Sequence, residues 1–259
     1  MGVARRICDR KMLRLIKWWL KAPVEECDEQ GRRRLSGGKG SSCGTPQGGL
    51  VSPLLANIYM QRYIKAFRRH GLECRHDAVL VTYADDLVVL CRRGAKQVLN
   101  KTQRWMEQMG HTLNESKTSL RDATRESFDF LGYTFGPMYS PCTGGRYIGA
   151  TASRKAIQRL HERVRHVLHW GNPAPTEEVV KTLNLVLRGW ANYFCYGTLA
   201  GVRHAVDRYV YDRVRHFLRR RSKIRPRETA CFTQEWVTAA LGVLEVRLLP
   251  RKRFANASA

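Results

Sequence analysis

The chain has 259 residues, with 46 Lys and Arg against 22 Asp and Glu, a formal net charge of +24. Its 43% apolar and 9% aromatic content excludes a disordered or collagen-like polymer and provides for one large or two ordinary domains. The charge exceeds what solubility needs and points to a polyanion, with nucleic acid favoured over an anionic membrane.

The basic excess is not a tail. Residues 1–150 carry 25 basic and 14 acidic residues (+11), and residues 151–259 carry 21 and 8 (+13). No apolar run is long enough to span a bilayer. The stretch from Met12 to Leu20 is broken by Lys17 and lacks a small-residue cleavage site, so no signal peptide is expected. The eight cysteines show no CxxC spacing, which disfavours thiolate metal sites and is read as reduced cytoplasmic thiols. His161, His166 and His169 stand among arginines, a poor setting for a cation, and are read as polar-face residues.

In chain order, residues 3–20 repeat apolar positions at helical spacing until Pro23 blocks continuation. Residues 24–44, rich in glycine, predict a hairpin or irregular loop. A helix follows over 51–69, with Pro53 in its first turn and an apolar face of Leu54, Leu55, Ile58, Tyr59 and Ile64. Residues 78–91 are two apolar runs around Asp85 and Asp86, a β-hairpin with the carboxylates at its tip. A helix over 94–109 ends at Gly110, and 111–149 reads as short strands and turns. Then the character changes. Ser153 caps a helix over 154–169, Thr176 with Glu177 and Glu178 opens a second running to Gly197, and a third spans about 200–221. The expected fold is α+β. Its first part, 1–150, is mixed and built on an antiparallel sheet with helices; its second, 151–259, is an all-α three-helix bundle, with the boundary near 150.

Two motifs carry chemistry. Adjacent acids between strand formers are either a plain turn or a site for Mg²⁺, which takes carboxylate and phosphate oxygens. Gly44-Thr45-Pro46-Gln47-Gly48-Gly49-Leu50 precedes a helix N-terminus, where backbone N–H groups favour phosphate, but it lacks the Gly-Lys-Ser/Thr of a Walker loop. In the second half, Arg159, Arg163 and Arg188 stud helix faces. Arg219, Arg220, Arg221 and Lys223, with Arg225 and Arg227, gather at one helix end as a candidate RNA contact. Trp190, Tyr193 and Phe194 are expected in the bundle core rather than as stacking platforms.

The order of five motifs resembles the reverse transcriptases encoded by group II introns, the maturase–reverse transcriptase family. They are Gly44–Tyr59, Tyr83–Asp86 (YADD), Leu113–Thr118 (LNESKT), Phe130–Phe135 (FLGYTF) and Leu183–Phe194 (LNLVLRGWANYF). The resemblance covers about residues 3–245. It implies a partial right-hand palm followed by a thumb or maturase domain. Asp85 and Asp86 then match the metal-binding catalytic acids, taking Mg²⁺ or Mn²⁺. Pro46, Gln47, Gly48, Gly49 and Lys117 match the nucleotide and template region, and Leu131, Gly132 and Tyr133 the primer grip. The implied partners are intron RNA as template, a DNA primer and deoxynucleotide triphosphates, with no membrane, in the cytoplasm or nucleoid of a bacterium. The family's third Asp lies on an upstream strand with fingers before it. Asp9 does not supply it, so an N-terminally truncated form with reduced or no activity alone is expected. Three further readings are an RNA-binding maturase that does not polymerise, a DNA-binding structural protein with a chance motif, and a reverse transcriptase of another bacterial retroelement.

Overall fold

The structure is a computed structural model that describes residue 4 and residues 7–27, 33–37, 52–84, 86–140, 142–223 and 231–250. It divides into two compact units, Met1–Leu120 and Arg121–Ala259.

In the first unit, α1 spans Arg10–Leu20. It starts seven residues later than the periodicity predicts, because Asp9 caps it: the carboxylate accepts from the backbone N–H of Lys11 (2.8 Å) and Met12 (3.4 Å). Proline ends the helical run as expected and opens β1 (Pro23–Cys27), which pairs antiparallel with β2 (Arg33–Gly37). α2 covers Ser52–Arg69. Its buried face differs from the predicted one: Tyr63 and Phe67 are fully buried, whereas Leu54 is 60% exposed and Tyr59 stays on the surface. Tyr63 can go inside because its hydroxyl meets Thr102 Oγ1 at 3.0 Å, so burial leaves no polar group orphaned. Burial still pushes the Tyr63 hydroxyl above its ordinary value.

A short helix that the sequence reading lacks, α3 (Leu72–His76), sits between the left-handed residues Gly71 and Asp77. Next comes the hairpin of β3 (Ala78–Tyr83) and β4 (Asp86–Cys91), in register from Ala78–Cys91 to Tyr83–Asp86. α4 (Ala95–Gln108) follows, and Gly110 after it is left-handed. The core joins Tyr63 and Phe67 of α2, Leu72, Ala78, and Val98 and Met106 of α4, with Leu80, Leu87 and Val89 of the hairpin laid against it.

The second unit opens with an antiparallel meander of β5 (Phe128–Phe130), β6 (Tyr133–Tyr139) and β7 (Arg146–Ala152). Ser153 then caps α5 (Arg154–Val167) by accepting from the Ala156 N–H at 3.2 Å. α6 runs Thr176–Tyr193 and α7 Ala200–Arg221. α6 stops short of Gly197, since the chain must turn there: Thr198 N–H donates to the Ala150 carbonyl at 2.7 Å, and a Cβ on Gly197 would lie 2.2 Å from that oxygen. Leu160, Val164, Leu183, Leu187, Val206, Val210 and Val214 form the interior of the predicted bundle. Burying each leucine contributes about 2–3 kcal/mol.

The bundle has a fourth component that the periodicity does not reveal. Residues 231–250, with a π-helical turn Trp236–Ala240 and a 3₁₀ turn Val246–Leu248, strap across it and bury Phe232, Val237, Val243 and Val246. The strap is held by polar groups of the helices. Arg203, wholly buried, donates to the carbonyls of Leu249 (2.7 Å), Val246 (3.3 Å) and Pro250 (3.4 Å). One turn on, Asp207 accepts from the N–H of Val246 (2.7 Å) and Arg247 (3.0 Å). Asn184 of α6 bonds the Gly242 carbonyl and the Leu244 N–H, both at 2.8 Å. No helix among the described residues is long and apolar enough to cross a membrane.

Candidate active site and nucleic-acid interface

The β3–β4 register makes Ala84 and Asp85 a two-residue connection, with Tyr83 opposite Asp86. Ala84 has φ +50°, the left-handed geometry that tight hairpins require, here on a residue with a Cβ. Such a position costs about 1–2 kcal/mol without glycine. Asp86 is therefore the first residue of β4, exposed beside Tyr83, which is 64% exposed. Asp85 lies outside the described residues. So do Pro46, Gln47, Gly48 and Gly49; of the Gly44–Tyr59 motif, the part from Ser52 onward forms the first two turns of α2. Among the described residues no group of three or more His, Cys, Asp or Glu side chains could hold a metal ion. Asp86 alone is a hard oxygen donor of the type Mg²⁺ prefers, and Asp85 adjoins it in sequence.

Lys117 is exposed on a turn organised by Asn114, whose side-chain oxygen accepts from the Ser116 N–H (3.0 Å) and hydroxyl (2.6 Å). The Lys117 and Thr118 N–H groups donate to the Asn114 carbonyl, fixing where the lysine leaves the chain.

The turn expected to grip the primer is built more firmly. Phe130 pairs with Tyr133, so Leu131 and Gly132 form the hairpin connection, at φ +49° and +77°. Two positive φ values mark a primed turn. The turn is locked to helix ends: Ser153 N–H donates to the Gly132 carbonyl at 2.8 Å, and Gly132 has no Cβ where the Phe194 ring closes in. Two tyrosine hydroxyls donate to backbone carbonyls across the turn and the helix. Tyr133 donates to the Tyr193 carbonyl at 2.7 Å, and Tyr193 donates to the Leu131 carbonyl at 2.9 Å. Burial raises the Tyr133 hydroxyl above its ordinary value. Of the predicted core aromatics, Phe194 is buried and Trp190 packs partly against the interior, but Tyr193 is 56% exposed. It serves the turn instead of the core, and only the recurrence of Tyr at 133 and 193 hinted at it.

The predicted RNA-binding cations take up several faces. Arg159, Arg163 and Arg188 are exposed on α5 and α6. At the end of α7, Arg219 is half-buried, and Arg220, Arg221 and Lys223 are exposed. Arg221 lies over the Phe217 ring at 5.6 Å, which orients its guanidinium. Burial first, then the nearby Arg220, Arg219 and Arg213, hold His216 below its ordinary value. His161 departs from the polar-face expectation. It is half-buried and stacks on Tyr209 at 3.6 Å, and burial followed by Arg165 lowers its value.

An exposed aspartate on a hairpin in one unit and a cation-studded helical bundle in the other suit a protein that handles phosphates. Comparison with known families specifies it: residues 3–135 match the family model of the reverse transcriptase (RNA-dependent DNA polymerase), and residues 157–236 match the group II intron maturase-specific domain. The chain belongs to the reverse transcriptase family, in its group II intron maturase branch. A relative described as an uncharacterized 91 kDa protein in a cob intron of Schizosaccharomyces pombe is 22% identical over 226 residues. That match covers 59% of this chain and 28% of the relative, so the chain spans under a third of the relative's length.

Proposed function

We propose that the protein is an RNA-directed DNA polymerase of a group II intron that also binds its intron RNA as a maturase. The observation that carries this is the presence, in one chain, of the Asp86 hairpin, the clamped Leu131–Gly132 turn and the basic maturase-type bundle. In the reaction, the primer 3′-oxygen joins the α-phosphorus of a deoxynucleotide and pyrophosphate leaves. Asp85 and Asp86 would hold Mg²⁺, or Mn²⁺ in its place, and the bound ion would neutralise charge on the reacting phosphates. Pro46, Gln47, Gly48 and Gly49 line the incoming nucleotide, and Lys117 attracts its triphosphate. Leu131, Gly132 and Tyr133 steady the primer end. Arg159, Arg163, Arg188, Arg219, Arg220, Arg221 and Lys223 contact RNA phosphates. The partners are the intron RNA, a DNA primer and deoxynucleotide triphosphates, and the setting is the bacterial cytoplasm or nucleoid.

Primer extension on an RNA template with Mg²⁺ tests the reading. Deoxynucleotide incorporation, reduced or absent with this chain alone, is expected once a segment carrying the family's third Asp is supplied, and Asp86→Asn or Asp85→Asn should abolish it. Incorporation that survives both substitutions refutes the assignment. A second reading rests on the basic helical half, in which residues 151–259 carry 21 basic and 8 acidic residues. A chain that binds structured RNA with steep salt dependence yet incorporates nothing would be a splicing cofactor without polymerase activity.

A further inference from the structure

Trp170 is 79% exposed, the most exposed large apolar side chain among the described residues. It belongs to neither the helix nor the core. α5 buries Leu160, Val164 and Val167 on one face, and Trp170 follows in the turn toward α6. That turn is ordered. Asn172 donates from Nδ2 to the Val167 carbonyl (2.9 Å), accepts from the Ala174 N–H (3.1 Å) and donates its own N–H to the His169 carbonyl (3.1 Å). The indole is held out on a fixed stalk, which a side chain exposed by chance would not need.

The helix it follows is cationic. Lys155, Arg159 and Arg163 recur at helical spacing on the exposed side of α5, and among the described residues none makes an ion pair or hydrogen bond. Arg159, Glu162, Arg163 and His166 line one open depression of about 370 Å³. In the chain this indole follows directly on a helix that carries a row of cations. Paired RNA keeps its bases stacked inside the helix and offers phosphates and ribose hydroxyls, for which a ring face has no use. Unpaired RNA offers both a phosphate chain and free base faces.

We propose that the outer face of α5 and the turn after it bind an unpaired segment of RNA. Trp170 stacks on one base, and Lys155, Arg159 and Arg163 contact the phosphates that lead to it. Glu162, the one acid in the depression, accepts from an exocyclic amino group of a base and turns phosphates toward the arginines. This deepens the RNA-binding part of the proposed function and rests on it, by naming the state of the RNA that one face takes.

The test measures affinity of the full chain for a labelled single-stranded RNA and for the same sequence annealed into a duplex. Trp170→Ala should weaken single-strand binding roughly 5- to 150-fold and leave duplex binding unchanged within about 2-fold. Trp170→Phe, which keeps a ring, should restore most of the loss. Replacing Lys155, Arg159 and Arg163 together with Ala should weaken both probes and flatten the salt dependence. Single-strand affinity that ignores Trp170→Ala assigns the indole to a protein partner and overturns the proposal, as does an equal loss on both probes. A wild-type chain that binds neither RNA overturns the proposal and the RNA-binding reading together. Steep salt-dependent binding that is insensitive to Trp170 overturns the proposal alone.

Discussion

The Arg203 clamp gives a sharp stability test. Arg203→Met keeps the apolar stem but deletes the guanidinium donors through which Arg203 reaches the strap. The 2.7 Å bond to the half-buried Leu249 carbonyl is charge-assisted and worth about 2 kcal/mol. The bonds to Val246 and Pro250, at 3.3 and 3.4 Å, are long and together worth about 1 kcal/mol. The Val246 carbonyl keeps the Leu249 N–H as a second partner, which limits its loss. The expected destabilisation is therefore about 3 kcal/mol, most of it felt by residues 242–250. With a urea slope of about 2 kcal/mol/M, the midpoint should fall by roughly 1.5 M. Hydrogen exchange should show the amides of Val246 and Arg247 losing protection before those of Leu183 and Leu187. Arg203→Lys should recover little, because one ammonium cannot span carbonyls that a planar fork reaches. A midpoint shift below about 0.5 M, with strap protection intact, would refute the view that Arg203 fastens the strap.

Other outcomes follow from the same geometry. Tyr193→Phe removes the bond to Leu131 and should cost about 1 kcal/mol, read by urea melts, and it should weaken primer-end binding more than template binding. Ala84→Gly should stabilise the first unit by up to about 1 kcal/mol by relieving the positive φ, whereas Ala84→Val should destabilise it, and thermal melts compare the two. Burial holds Asp207 above the usual carboxylate range despite its bonds to the Arg247 and Val246 N–H groups. The native state thus binds this proton more tightly than the unfolded chain does. The stability Asp207 contributes should be fully present below the ordinary carboxylate value and decline as pH rises through the raised one, and urea melts across that range of wild type and Asp207→Asn should differ in slope.

Much of this was legible in the residues themselves. Pro23, Gly110 and Ser153 each end or cap an element where their backbone chemistry dictates, and the two apolar runs around Asp85–Asp86 yielded the hairpin. The α2 face was misjudged because a tyrosine reads as half polar until its hydroxyl partner, Thr102, is in place 39 positions away. The strap was invisible for a related reason. Residues 231–250 have no period of their own and are held by Arg203 and Asp207, which in sequence look like two more solvated charges on a basic helix. The place of Asp86 at the start of β4 was legible from the strand formers beside it, but not the backbone at Leu131, since nothing about a leucine announces φ +49°. That conformation is imposed by the turn and its tyrosine bonds.

The pair of hydroxyl bonds made by Tyr133 and Tyr193 has a mechanical meaning. With the Ser153 bond it anchors the Leu131–Gly132 turn at three places to the start of α5 and the end of α6. The turn thus lacks an independent degree of freedom and moves as part of the bundle's rigid body. A load applied along α6 would therefore reach the turn as displacement, undamped by an intervening loop, whereas a turn hung on a flexible tether would average such loads away.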